Sequence, residues 1–449
     1  MGQPRAFYEK PILVKHQVGL FDKFGRLQAI SPMTHIDGWS VSDLVEKYGS
    51  PLFVFSERTM VRCCRELKEL LALRYPKFQL AWSYKTNYLD AICKVFDREG
   101  SWAEVVSEFE FEKALRLGIP PSRIIFNGPY KPESALEKGL KEGVRIHIDH
   151  FDELSLMEKV ADRLRIRPEV GIRINFSISS VPSWDRFGFN LENGQAWTAV
   201  KRLAVSGRLS LAGLHCHIGT FILDPNAYRE AASRMVDFSN RLRDEMGLSI
   251  KWIDLGGGFA SINTLHSQYL PGNQVTPSFS QYVEAIAEGL EHLNGPASGL
   301  PILLLETGRA LIDEAGYLIT TVQANKRLSD GRRALVVDTG IHHLVTSNWY
   351  RHEVVPAQEF NGTYEPTMIC GPLCMNLDVI RSNLLYPPVK TGDRLVIKTV
   401  GAYNVTQWMQ FITLRPNVVM ISRNGQCNII RHRETLNHIV ALEEVPPWI

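Results

Sequence analysis

Four stretches of the sequence carry residue types that could do chemistry. In AWSYKTN, Lys85 closes an apolar run. Removal from water would lower the pKa of its amine and leave a nucleophile suited to Schiff-base formation, unless the chain simply snorkels to the surface. In WIDLGGG, the residues Gly256, Gly257 and Gly258 follow a buried run. Side-chain-free backbone there can approach a phosphate and present its N–H groups, or merely turn tightly. In LLLETGR, the carboxylate of Glu306 follows four apolar residues and needs a partner. Arg309 could pair with it, or Glu306 could hold a proton on a heterocyclic nitrogen. In HCHIGT, His215 and His217 could bind a metal, but no third ligand is nearby in sequence. A flat imidazole against an aromatic cofactor is another use, and core packing is a third reading for His215.

These residues need elements that bring them together. From about residue 78 to 310 the chain alternates short β-branched runs with charged segments of helical spacing. Eight runs recur: FQLAWSYK, SWAEVVS, RIIFNGP, RIHIDH, EVGIRIN, LAGLHCHIG, WIDLGGG and ILLLETG. Eight strand–helix units suggest a (β/α)8 barrel, with an open doubly wound sheet as the competitor. The runs end in polar or glycine residues, including Lys85, Asn127, His217 and Glu306. In a parallel barrel those ends share one mouth. The predicted α/β barrel covers residues 46–310, with 51–57 as a connecting strand. Residues 1–45 and 311–449 are expected to form a mostly β domain from both chain ends, with a helix near 40–49 capped by Ser40 or Ser42.

Composition narrows the function classes. The 449 residues carry a formal charge of +2, too balanced for an electrostatic nucleic-acid binder. No apolar run is long enough for a membrane helix. The first residues show neither an apolar leader core nor a myristoylation serine. Seven cysteines without zinc spacing read as free thiols of a reducing compartment, and a cytoplasmic location is expected.

At one barrel mouth the four stretches supply a Schiff-base lysine, a phosphate cradle, a flat ring and a carboxylate for a ring nitrogen. Those are the requirements of pyridoxal phosphate. The motifs YKTN, HCHIGT, DLGGG, ETGR, GPLCMNLD and GAY, running from about residue 50 to 403, make the chain resemble the pyridoxal-phosphate-dependent decarboxylases of the alanine-racemase-like fold. It is most similar to diaminopimelate decarboxylase, with ornithine and arginine decarboxylases as relatives.

The resemblance implies roles. Lys85 would carry the cofactor, Glu306 would contact its ring nitrogen, and His217 would stack on the ring. Thr220, Gly257, Gly258, Gly308, Arg309 and Tyr403 would surround the phosphate, with Thr220 where a serine is usual. Glu104 stands near the cofactor where an aspartate is usual. Cys374 would reach across a homodimer interface as proton donor, so that the β domain of one subunit completes the other's active site. Arg309, Tyr350, Met375 and Asp378 would face the substrate. No metal is implied. A racemase of this fold would place an arginine at the ring nitrogen, and a non-catalytic homologue would not need both Lys85 and Cys374.

The substrate reading departs from the family. Met375 stands where an acidic residue anchors a distal ammonium, and Thr346 and Ser347 stand where an arginine binds a distal carboxylate. A site without those anchors should reject the usual charged tail. An amino acid or a conjugate is therefore expected, including a siderophore or antibiotic precursor held on a carrier protein. Trp349, Tyr350, Asn376 and Trp408 are candidate pocket residues.

Overall fold

The computed structural model describes residues 30–293 and 299–449. The leader expectation and the 1–29 portion of the predicted β domain lie outside the described residues. All eight predicted runs are strands: Phe78–Ser83, Trp102–Val105, Ile124–Phe126, Arg145–Ile148, Glu169–Asn175, Ser210–His215, Trp252–Asp254 and Ile302–Leu305. Each pairs in parallel with its neighbours, and the Ile302–Leu305 pairing with Phe78–Ser83 closes the ring. Such strands are covered on both faces, which is why they read as unbroken apolar runs. The intervening helices carry the predicted stripes. Phe151–Leu164, for example, buries Leu154, Met157, Val160 and Ala161, and each larger side chain contributes about 2 kcal/mol.

Inside the barrel, Ala81, Ile125, Ala212, Trp252 and Leu304 form a buried apolar cluster. Trp252 also belongs to a row of register shared with His147, Gly171 and Gly213 across four adjacent strands. A Cβ on Gly171 would lie 2.3 Å from the His147 ring, and one on Gly213 would lie 1.9 Å from the Trp252 ring. The two glycines thus make room for the two rings to meet, as glycine in a strand interior often does.

The second unit is mostly β. Gly316–Arg327 is its long central strand, pairing in turn with Leu52–Ser56, Arg394–Lys398 and Arg333–Val337. Leu52–Ser56 also pairs in parallel with Asn417–Ile421. That pairing corrects the sequence reading. Leu52–Ser56 is no connector, and the barrel begins after it rather than at residue 46. The helix Val41–Tyr48 is capped by Ser40, whose side chain accepts from the Asp43 N–H. It places Val41, Leu44 and Val45 in one apolar cluster with Ile319, Val396 and Val419, so both chain ends share one core. No helix among the described residues is long and apolar enough to cross a membrane.

The two units meet at the Lys85 loop. The Tyr403 N–H donates to the Thr86 carbonyl at 2.9 Å, and Asn87 Nδ2 donates to the Gly401 carbonyl at 3.1 Å. A Cβ on Gly401 would lie 2.0 Å from the Ile312 carbonyl oxygen.

Candidate active site

A cavity of about 610 Å³ opens at the C-terminal ends of the barrel strands. Lys85, Glu104, His217, Thr220, Gly257, Gly258, Glu306, Gly308, Arg309, Trp349, Tyr350 and Tyr403 all line it. Ten of these are residues the motifs assign to the cofactor or catalysis, or to both. Lys85, His217, Gly257, Glu306 and Gly308 stand one to three positions past a strand end, where backbone is free to turn inward. Glu104 lies within Trp102–Val105 and faces the interior.

Lys85 Nζ donates to Glu104 Oε2 at 2.6 Å. Burial alone would push the amine's pKa down, but the Glu104 charge, with Glu306 and Tyr403 beyond it, outweighs burial and holds it above its ordinary value. The expectation of a lowered pKa is therefore corrected: the amine is an ammonium paired with a carboxylate. Glu104 is wholly buried, and its Oε2 also accepts from Ser83 Oγ.

Glu306 is 5% exposed and does not pair with Arg309. Its Oε1 accepts from Asn127 Nδ2 at 2.5 Å, and its Oε2 lies 3.6 Å from His215 Nε2. Beside it, burial and the Glu306 charge push the Asp254 carboxyl well above the usual range. His217 is half-buried at the cavity wall, and its Nδ1 accepts from the Gly257 N–H at 3.1 Å. Burial first, then nearby cations, hold both His215 and His217 well below the ordinary imidazole range, so both rings are neutral. His215 stacks on His147 with centroids 4.7 Å apart.

Arg309 is 6% exposed, yet among the described residues no carboxylate lies within ion-pair distance. Its guanidinium donates to Thr220 Oγ1 at 3.1 Å and to the Tyr350 hydroxyl. A buried cation with only hydroxyl partners suits an anionic ligand. Gly257 and Gly258 line the same cavity. A Cβ on Gly258, at φ +102°, would lie 2.3 Å from the Gly219 carbonyl oxygen. This bare backbone beside a buried guanidinium fits a phosphate, and Lys85 and Glu306 fit the aldehyde and ring nitrogen of pyridoxal phosphate.

His147, His215 and Glu306 also approach closely enough to hold a cation, with donor atoms within 4.8 Å. Both His147 nitrogens are already engaged, however, by Trp252 and Asn127.

Other expectations do not meet at this cavity within one chain. Cys374, Met375 and Asn376 lie on an exposed loop away from it. Asp378 is 2% exposed, and its two oxygens accept from the Ile341 and Leu373 N–H groups, both at 2.8 Å. It shapes the Cys374 loop and is not free to face a substrate. Trp408 packs in the core against Phe53. Thr346 is buried against Asn404 and His352. Tyr350 lines the cavity through Arg309, with its hydroxyl already committed. Sequence reasoning missed Arg173, Trp184 and Arg186 on the cavity wall. Arg173, a charged residue inside a buried strand, was a readable signal.

Comparison with known proteins gives a consistent result. Residues 57–313 match the family "Pyridoxal-dependent decarboxylase, pyridoxal binding domain". The chain is 30% identical over 430 residues to the diaminopimelate decarboxylase of Methanocaldococcus jannaschii, covering 92% of this chain and 95% of that one. It is 29% identical over 422 residues to the Bacillus subtilis diaminopimelate decarboxylase, covering 91% and 94%. The crystal structure of the M. jannaschii diaminopimelate decarboxylase in co-complex with L-lysine matches at a TM-score of 0.84 and 28% identity, covering 94% of this chain and 98% of that one.

Proposed function

The chain belongs to the pyridoxal-dependent decarboxylase family and is a diaminopimelate-decarboxylase-like amino-acid decarboxylase; from that premise we propose how its residues divide the work. The observation that carries the proposal is convergence. An ammonium at Lys85, a buried carboxylate at Glu306 and a buried guanidinium without an acid partner at Arg309 line one cavity.

Pyridoxal phosphate supplies the electron sink that accepts the pair left behind when an α-carboxylate departs. Arg309, Thr220 and the Gly257–Gly258 backbone would hold its phosphate, with Tyr403 beside them. Lys85 would hold its aldehyde carbon until a substrate amine takes over. Glu306 would keep the ring nitrogen protonated, and His217 would hold the ring flat. Glu104 would keep Lys85 charged and aimed inward, ready to return a proton to the α-carbon.

We propose further that the active protein is a homodimer. Cys374 stands on a loop whose Met375 and Leu377 are 37% and 74% exposed, and Phe411 and Ile412 add exposed apolar surface. In a dimer the partner's loop would bring a thiol to the cavity as the second proton donor.

For the substrate, the relative with L-lysine bound is a guide. L-lysine is the amino acid left when diaminopimelate loses one carboxyl group. Here Thr346 is committed to internal partners and Met375 carries no charge. Arg186, exposed at the cavity rim, is the cation at hand for a distal acid. We therefore read the substrate as an amino acid whose tail is neutral, conjugated or held by Arg186. Carbon dioxide release is the test, measured on meso-diaminopimelate and on neutral-tailed and conjugated amino acids, with Lys85→Ala as control. Efficient turnover of diaminopimelate would refute the neutral and conjugated readings. No release from any amino acid would refute the assignment of roles.

A further inference from the structure

A chain of hydrogen bonds runs from buried Trp252 to Asn127 at the cavity wall and ends on both carboxylates. Trp252 Nε1 lies 2.9 Å from His147 Nε2. His147 Nδ1 lies 2.8 Å from Asn127 Oδ1. Asn127 Nδ2 donates to Glu104 Oε1 at 3.2 Å and to Glu306 Oε1 at 2.5 Å.

The direction of this chain follows from one group. An indole N–H only donates, so His147 Nε2 must accept. Burial holds the His147 imidazole well below its ordinary range, so it is neutral and carries its single proton on Nδ1. That proton is donated to Asn127, so the atom facing His147 must be the amide oxygen. Both amide hydrogens of Asn127 then point at the carboxylates. Reversing the amide would set its oxygen against two carboxyl oxygens, at a cost of both hydrogen bonds and of acceptor facing acceptor.

We infer that Trp252, His147 and Asn127 are positioning residues that fix Glu104 against Lys85 and Glu306 toward the cofactor's ring nitrogen. The inference rests on the pyridoxal phosphate reading for what the carboxylates do, but not for how they are held. Gly171 and Gly213 belong to the same device, because a methyl group on either would occupy the space of a relay ring.

The test has two arms. In cofactor-free, histidine-labelled wild-type protein, nitrogen NMR should find His147 neutral with its proton on Nδ1 at neutral pH. A proton on Nε2 would overturn the relay whether or not any variant folds. In the second arm, Trp252→Phe removes the donor and Asn127→Asp replaces the amide with an isosteric acid. Each cooperatively melting variant should lose about tenfold or more in pyridoxal phosphate affinity, the scale of a lost outer-shell partner. Each should also shift the pH midpoint of the bound cofactor's visible absorbance by about half a unit or more. Folded variants that keep both wild-type values would overturn the inference. Wild-type protein that binds no pyridoxal phosphate would instead refute the proposed function, leaving the NMR arm to decide the relay.

Discussion

Lys85 and Glu104 form an ion pair of 2.6 Å between the loop after the first barrel strand and the interior face of the second. The lysine side chain is 38% exposed toward the cavity, whereas the carboxylate is wholly buried. The acid is thus fixed and the amine is the mobile partner. Glu104→Gln should lower the amine's pKa, because burial then acts with less opposition. Mixing cofactor-free protein with pyridoxal phosphate across pH and following the visible absorbance measures this. The variant's pH onset should move down by about one unit or more, and an unchanged onset would contradict the pairing.

The Arg309 guanidinium should matter only to ligands that carry a phosphate. Arg309→Met removes charge-assisted bonds worth about 1.5–3 kcal/mol, so pyridoxal phosphate affinity should fall roughly 10- to 100-fold. Affinity for pyridoxal, which has no phosphate, should change little. Equal losses for both would place the phosphate elsewhere.

Gly258 holds φ +102°, with the Gly219 carbonyl 2.3 Å from where a Cβ would stand. Gly258→Ala must therefore move backbone at the proposed phosphate cradle. Cofactor affinity should fall about tenfold or more, and melting should occur several degrees lower. Wild-type cofactor affinity in a titration would dismiss the cradle.

Glu110 provides a pH dependence with a definite sign. Its Oε2 accepts from the Val106 N–H at 2.8 Å, while burial and the Glu104 charge push its pKa up to about 7 from 4.5. A raised carboxyl stabilises the fold below the unfolded value and loses that contribution as pH rises through the folded one. Glu110→Gln should therefore gain on wild type by about 1–3 kcal/mol between pH 4.5 and 7. Urea melts at several pH values measure the difference, and a constant gap would remove Glu110 from the account.

A shared site predicts complementation. Lys85→Ala and Cys374→Ala should each be nearly inactive alone. Mixed and allowed to exchange subunits, they should recover about a quarter of wild-type sites, since half the dimers pair one of each and hold one intact site. No recovery despite exchange, followed by native mass spectrometry, would rule out a thiol donated in trans.

Much of this was readable from residues alone, for a physical reason. Strands covered on both faces are largely apolar, and the polar residues that line the cavity sit where they stop, so Lys85, His217 and Glu306 stood out. Leu52–Ser56 misled because a strand buried on both faces reads alike in a barrel or in the second sheet. The Lys85 pKa was misjudged because its partner lies 19 residues away in sequence and only register brings it near. Asn127, His147 and Trp252 each looked ordinary; their connection depends on two glycines aligned in adjacent strands. Asp378 matched its motif, but its oxygens serve the backbone around it.

The placement of Leu52–Ser56 has a consequence for biosynthesis. This wholly buried, mostly apolar segment is translated hundreds of residues before its two neighbours, Gly316–Arg327 and Asn417–Ile421. Until they emerge it is an unpaired sticky edge tethered to a growing barrel. A nascent chain stalled or cut before residue 421 would keep that edge open, so incomplete copies should be prime clients for chaperones and proteases.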